Sequence, residues 1–144
     1  MHCTIDSFIM KRFESHNLLW LLVLSGAGIL WFFFRMSGGH VSIPPAGDIF
    51  TFIILAPLAE ELFFRGVVQD FLKKRLSGAL FMISFANIAA SVIFAAAHVP
   101  FWGFPHAMLV FIPSLAFGFM YDRTGTLVYP VILHTIYNFN IFIV

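Results

Sequence analysis

The chain has 144 residues, only eight of them Lys or Arg and seven Asp or Glu, while 60% are hydrophobic and 20 are Phe. A soluble domain carries about 25% charged residues, and one of this size could not bury so much apolar surface. Disorder is excluded by the same composition, which leaves an integral membrane protein of one domain, residues 1–144. The net charge of +1 gives no sign of a nucleic-acid partner. Cys3 is the only cysteine, so an internal disulfide and a Cys-based zinc site are both excluded.

Five apolar segments follow along the chain, at 18–34, 49–68, 79–98, 104–121 and 127–144. Each is near the ~20 residues needed to cross a hydrocarbon core about 30 Å thick. The expected fold class is therefore all-α, a polytopic transmembrane helical bundle of about five helices. In the first segment the apolar run continues through Trp31, Phe32, Phe33 and Phe34, past the small residues Ser25, Gly26 and Ala27. An uncleaved anchor is expected there. Gly38, Gly39, Pro44 and Pro45 make 35–47 an irregular loop. Asp122 to Gly125 reads as a tight turn with Gly125 left-handed, making segments four and five an antiparallel pair.

Orientation follows from the short loops. With the N-terminus in the cytoplasm, Lys11, Arg12, Lys73, Lys74, Arg75 and Arg123 lie inside, and only Arg35 lies outside. The expected location is a bacterial inner membrane, N-terminus cytoplasmic and C-terminus extracytoplasmic. Trp20, Trp31 and Trp102 fall near segment ends, as interfacial tryptophans do.

The second segment carries Glu60, Glu61 and Arg65. An ionisable group at mid-membrane costs about 2.5–3.5 kcal/mol and normally faces the bundle interior or a water-filled cavity. Glu61 and Arg65 stand at i and i+4, acid first, so Arg65 neutralises Glu61 within one helix. Glu60 points about 100° away, and a Glu so placed suits general-base work. Pro57, one turn earlier, removes a backbone hydrogen bond and allows a kink.

Segment three adds a polar face of Ser84, Asn87, Ser91 and His98, with Phe94 one turn before His98. Segment five adds His134 and Asn138 at i and i+4, after Pro130. Asn87, Ser91 and Phe94 are expected to line the cavity. Counted along straight helices, His98 falls nearer the outer interface than Glu60; tilt, or a later start of segment three, would level them. No membrane-embedded Ser or Cys has an obvious His partner, which disfavours covalent catalysis. A Glu that activates water, with His and Asn groups stabilising an oxyanion, would make a hydrolase. A Glu/His metal site is the alternative, against which Arg65 adds positive charge where a cation would sit.

Glu60-Glu61-Leu62-Phe63-Phe64-Arg65, Phe94-Ala95-Ala96-Ala97-His98 and His134-Thr135-Ile136-Tyr137-Asn138 resemble the EExxxR, FxxxH and HxxxN motifs of one family, in order. The chain resembles the CPBP family of intramembrane proteases, which includes the type II CAAX prenyl endopeptidases and the Abi, bacteriocin-processing and immunity proteins. That resemblance implies a four-helix catalytic core, here 49–144, with 18–34 as an accessory helix. It implies an intramembrane protease acting on a membrane-associated protein or peptide, such as a leader peptide or C-terminal sorting signal. The implied mechanism is glutamic, in a family formerly classed as metalloproteases, so no cofactor or metal is expected. By position, Glu60 would be the base, His98 would help hold the water, and His134 with Asn138 would form the oxyanion hole. Glu61 and Arg65 would support them. Two rivals stand beside this reading: a Glu/His metalloprotease, and a catalytically silent scaffold or immunity protein. His40 and His106 read as bystanders, Tyr137 as packing, and Ser114 with Gly118 as a small-residue packing face.

Overall fold

The computed structural model describes the backbone of residues 3–143 and the side chains of residues 16–143. Lys11 and Arg12, used above for orientation, and Cys3 have side chains outside that range. The described chain is mostly helical, and buried and exposed residues are reversed relative to a soluble protein. Glu61, Arg65, Gln69 and Asn87 are fully buried, whereas Leu30, Phe33, Phe34 and Ile112 are exposed. That distribution suits a lipid surround, where apolar side chains need no shelter and ionised ones do.

Helix α1 (Cys3–Met36) packs against the last helix. The contact is close because Gly28 has no side chain: a Cβ there would lie 2.8 Å from the Tyr137 ring. Nearer the start, Trp20 meets Phe119 edge to face at 5.1 Å between ring centroids. The irregular loop expected at 35–47 is present, tied to the other end of the chain by an antiparallel bridge between Val41 and Ile143.

The next stretch is one helical rod from Ala46 to Lys73, with two π turns. It runs through α2 (Ala46–Phe50), a π segment (Thr51–Leu55), α3 (Ala56–Phe63), a second π segment (Phe64–Gln69) and α4 (Asp70–Lys73). Each junction keeps right-handed helical dihedrals, so the rod does not break. The first π segment precedes Pro57, where the missing N–H and the ring demand a wider turn. The observed rod is longer than the expected segment 49–68.

Segment three begins later than its hydrophobicity suggests. Residues 79–84 form a short antiparallel hairpin, β1 (Ala79–Leu80) with β2 (Ile83–Ser84), not helix. Gly78 at φ 100° starts it, and the Ser84 side chain then caps α5 (Phe85–Thr124) by accepting from the Asn87 N–H at 3.0 Å. This small hairpin is a local departure from helix in a chain that is otherwise helical, as the all-α reading expects. It also removes the depth mismatch. Ser84 and Lys73 both bond to Asp122, at 2.6 and 2.8 Å, and further along the same two elements His98 Nε2 and Glu60 Oε2 lie 3.9 Å apart.

Helix α5 is two arms that reverse at Gly103, whose φ of 78° and ψ of 169° are not helical. The reversal is shown by contacts between the arms: Ser114 to Ser91, Asn87 to the Leu115 carbonyl, and Ser84 to Asp122. Gly125, left-handed at φ 65°, ends the second arm as expected, its N–H returning to the Tyr121 carbonyl at 2.9 Å. Helix α6 (Val128–Asn138) follows, and a 3-10 turn (Phe139–Phe142) replaces the predicted continuation to 144. There Asn140 turns back to donate to the Tyr137 carbonyl at 2.6 Å, a local bond that competes with further helix. Phe117, Phe119, Met120 and Leu133 form the apolar core, with Trp20, Leu24 and Tyr137 against it.

Candidate active site

The site is assembled by three elements. The rod supplies Glu60 and Glu61 from α3 and Arg65 from the second π segment, the first arm of α5 supplies His98, and α6 supplies His134. Glu61 is wholly buried and uses both carboxylate oxygens. Arg65 Nε donates to Oε2 at 2.8 Å, and His134 Nδ1 lies 2.9 Å from Oε1. The carboxylate can only accept, so His134 carries its hydrogen on Nδ1 and presents Nε2 to the other side. His98 is fixed in the same sense. Its Nδ1 is 2.8 Å from the Phe94 carbonyl, again a pure acceptor, which leaves Nε2 as the acceptor of the neutral ring.

The two Nε2 atoms meet at Glu60. His98 Nε2 and His134 Nε2 are each 3.9 Å from Glu60 Oε2, a buried oxygen with no hydrogen-bond partner. A separation of 3.9 Å is too long for a direct bond, yet one water can reach both ends of each gap. The Glu60 and His98 side chains are 32% and 19% exposed, against 6% for His134. The Glu60 and His98 side of the cluster is therefore partly exposed, and the Glu61 side is sealed.

Aromatic rings set the imidazole orientations. Phe117 stacks on His134 at 4.9 Å and 18°, and Phe94 lies 4.5 Å from His98 and 5.9 Å from His134. Phe94 is buried and also faces the Arg65 guanidinium at 5.7 Å. Asn138 sits one turn beyond His134, and its Nδ2 donates to the Phe52 carbonyl at 2.8 Å. Thr135 donates to the neighbouring Ile53 carbonyl at 3.0 Å. Both carbonyls belong to the first π segment, so α6 satisfies groups in its widened turn.

Asn87 and Ser91 are fully buried, in a polar network beneath the site. Asn87 Oδ1 accepts from Ser91 Oγ at 3.1 Å, and Ser91 Oγ accepts from Ser114 Oγ at 3.1 Å. Ser114 Oγ in turn accepts from Arg65 Nη2 at 2.7 Å. Ser114 is thus more than the packing residue its spacing suggested. Gln69, overlooked in the sequence, joins the same network. Its signal was its position, one further i+4 step along the Glu61–Arg65 face just past the end of the apolar run. Among the described residues, no group of three or more His, Cys, Asp or Glu is arranged to hold a metal ion. His106 lies 6.3 Å from His98 by ring centroid and is exposed; His40 is in the loop after α1, also exposed.

Comparison with known proteins bears on this geometry. Residues 42–140 match the family described as Type II CAAX prenyl endopeptidase Rce1-like, a span that contains all three motifs. An uncharacterized 24.3 kDa protein of Escherichia coli is 30% identical over 86 residues, 60% of this chain and 38% of that protein. The chain thus matches well under half the length of that relative. No solved structure matches it. Two helical stretches, His16–Met36 and Phe85–Thr124, are long and apolar enough to cross a bilayer, and with the family match they make this an integral membrane protein. By the match over residues 42–140, the chain belongs to the type II CAAX prenyl endopeptidase Rce1-like family, a family of intramembrane proteases.

Proposed function

We propose that this protein is a glutamic-type intramembrane endopeptidase that hydrolyses a peptide bond of a membrane-associated protein or peptide with no metal cofactor. The reading rests above all on the Glu60 oxygen lying 3.9 Å from two imidazole nitrogens whose other nitrogens are already committed. Glu60 takes a proton from a water held between it and His98 Nε2, and the water oxygen attacks the scissile carbonyl carbon. The negative charge that develops on the carbonyl oxygen is met by His134, which in its imidazolium form donates from Nε2 while Nδ1 stays on Glu61. Asn138 contributes from the next turn through the amide hydrogen not given to Phe52. The tetrahedral intermediate collapses as Glu60 returns the proton to the leaving nitrogen, so the carboxylate is regenerated.

The bundle crosses the bilayer five times, with the reversals at Gly103 and Gly125 on opposite sides. The N-terminus and the Lys73–Arg75 end face the cytoplasm of a bacterial inner membrane. The substrate class is a membrane-bound leader peptide or C-terminal sorting segment. Comparing membrane and secreted proteins from cells carrying wild type or Glu60→Ala tests this reading. A precursor that accumulates only with the variant identifies the substrate; identical profiles contradict the reading.

A further inference from the structure

Glu61, Arg65, Gln69 and Lys73 stand four residues apart on the rod, one stripe from the sealed site to the charged end. Gln69 is the least explained of them. It is fully buried, and a buried amide is tolerated only when its donors and acceptors are matched. Its Oε1 lies 3.3 Å from Arg65 Nη1, while its Nε2 is 2.8 Å from Asp122 Oδ1 and 3.1 Å from the Gly118 carbonyl. Chemistry fixes which way the amide points. A guanidinium only donates, and a carboxylate and a carbonyl only accept, so a flipped amide would oppose like groups on every side.

The surroundings are shaped for this one side chain. A Cβ at Gly118 would overlap the Asn87 side chain and come within 2.8 Å of Gln69 Oε1. Asp122, at the far end, is held by Lys73 at 2.8 Å and by Ser84 at 2.6 Å. Arg65 therefore has an acceptor for each nitrogen: Glu61 for Nε, Gln69 for Nη1 and Ser114 for Nη2. Removing one releases a rigid fork that needs all three for a single orientation.

We propose that Gln69 is a positioning residue of the site, which holds Arg65 in register with Glu61 and, through Glu61, the His134 ring, and is itself anchored by Asp122. The proposal rests on reading Glu60, His98 and His134 as the reacting groups, but its test needs no substrate. The observable is hydrogen exchange of the Arg65 Nε–H, followed by NMR on the full chain in lipid nanodiscs, with Arg65→Lys to assign the signal.

In wild type that hydrogen exchanges slowly. In Gln69→Met, of similar length and apolar, it exchanges at least ~10-fold faster while backbone amides of the second α5 arm keep their protection. The variant Gln69→Glu/Asp122→Asn moves the amide to position 122 and the carboxylate to 69, keeping the total charge and an acceptor for Arg65 Nη1 while giving up the bond to the Gly118 carbonyl, and returns the rate to within about threefold of wild type. Fast exchange in wild type, or an unchanged rate in folded Gln69→Met, overturns the proposal. If Gln69→Met does not fold, the double variant decides. Slow exchange there supports the proposal, and fast exchange or failure to fold overturns it. None of these results depends on proteolysis, so a failed positioning role is distinguishable from a failed protease reading, which Glu60→Ala addresses.

Discussion

His134 and Glu61, 73 positions apart in sequence, are joined at 2.9 Å between Nδ1 and Oε1, both side chains buried. This bond connects the last helix to the rod and turns the other imidazole nitrogen toward Glu60. Because Arg65 holds the second oxygen of the same carboxylate, Glu61 is both the structural and the electrostatic centre of the bundle.

Removing one partner of the buried pair leaves an uncompensated charge. Glu61→Leu or Arg65→Leu is expected to destabilise the protein by about 3–5 kcal/mol, and the double Leu variant by less than the sum. Arg65→Lys is not a conservative change, since an ammonium cannot reach Glu61, Gln69 and Ser114 in the geometry of a planar fork. Unfolding in mixed micelles measures all four. Additive costs would show that the pair is not coupled.

Much of this site was legible before any coordinates. The i, i+4 spacing of Glu61 and Arg65, the odd-one-out position of Glu60, and the pairing of His98 with Phe94 each follow from helical periodicity and the penalty on membrane-embedded charge. What composition could not reveal was where apolar segments cease to be helix. Residues 79–82 are as hydrophobic as the helix after them, and only Gly78 and the Ser84 cap betray the hairpin. The network beneath the site was also obscure, because Ser114 and Gln69 are one-sided signals: their partners lie 49 positions away. The two π turns have no clear sequence mark beyond Pro57.

The close approach of α1 to α6 at Gly28 gives a second expectation. Gly28→Leu forces a side chain into the space of the Tyr137 ring and should cost about 1–3 kcal/mol, with α1 displaced outward. A cysteine pair across that contact, crosslinked in wild type and not in the variant, reports the displacement. Unimpaired crosslinking in Gly28→Leu would contradict the packing.

Topology can be read directly. In a Cys3→Ser background, a cysteine at Lys74 should react with a membrane-impermeant thiol reagent only after the cells are opened, and one at Gly38 should react in intact cells. The opposite pattern would reverse the orientation.

A metal-free mechanism makes its own prediction. Prolonged treatment with a strong chelator should leave proteolysis unchanged, and metal analysis of active protein should find less than stoichiometric metal. Loss of activity on chelation, restored by adding one metal ion, would instead make Glu60 and the two histidines ligands.

The central claim is that Glu60 is the base. Its most direct measurement is cleavage, by purified protein in lipid vesicles, of the precursor that accumulates in Glu60→Ala cells. Glu60→Gln keeps the size and polarity of the side chain but cannot accept the proton of the attacking water. The account predicts a fall in kcat of about 10²–10⁴-fold with little change in KM; a Glu60→Gln protein that cleaves at the wild-type rate would contradict it.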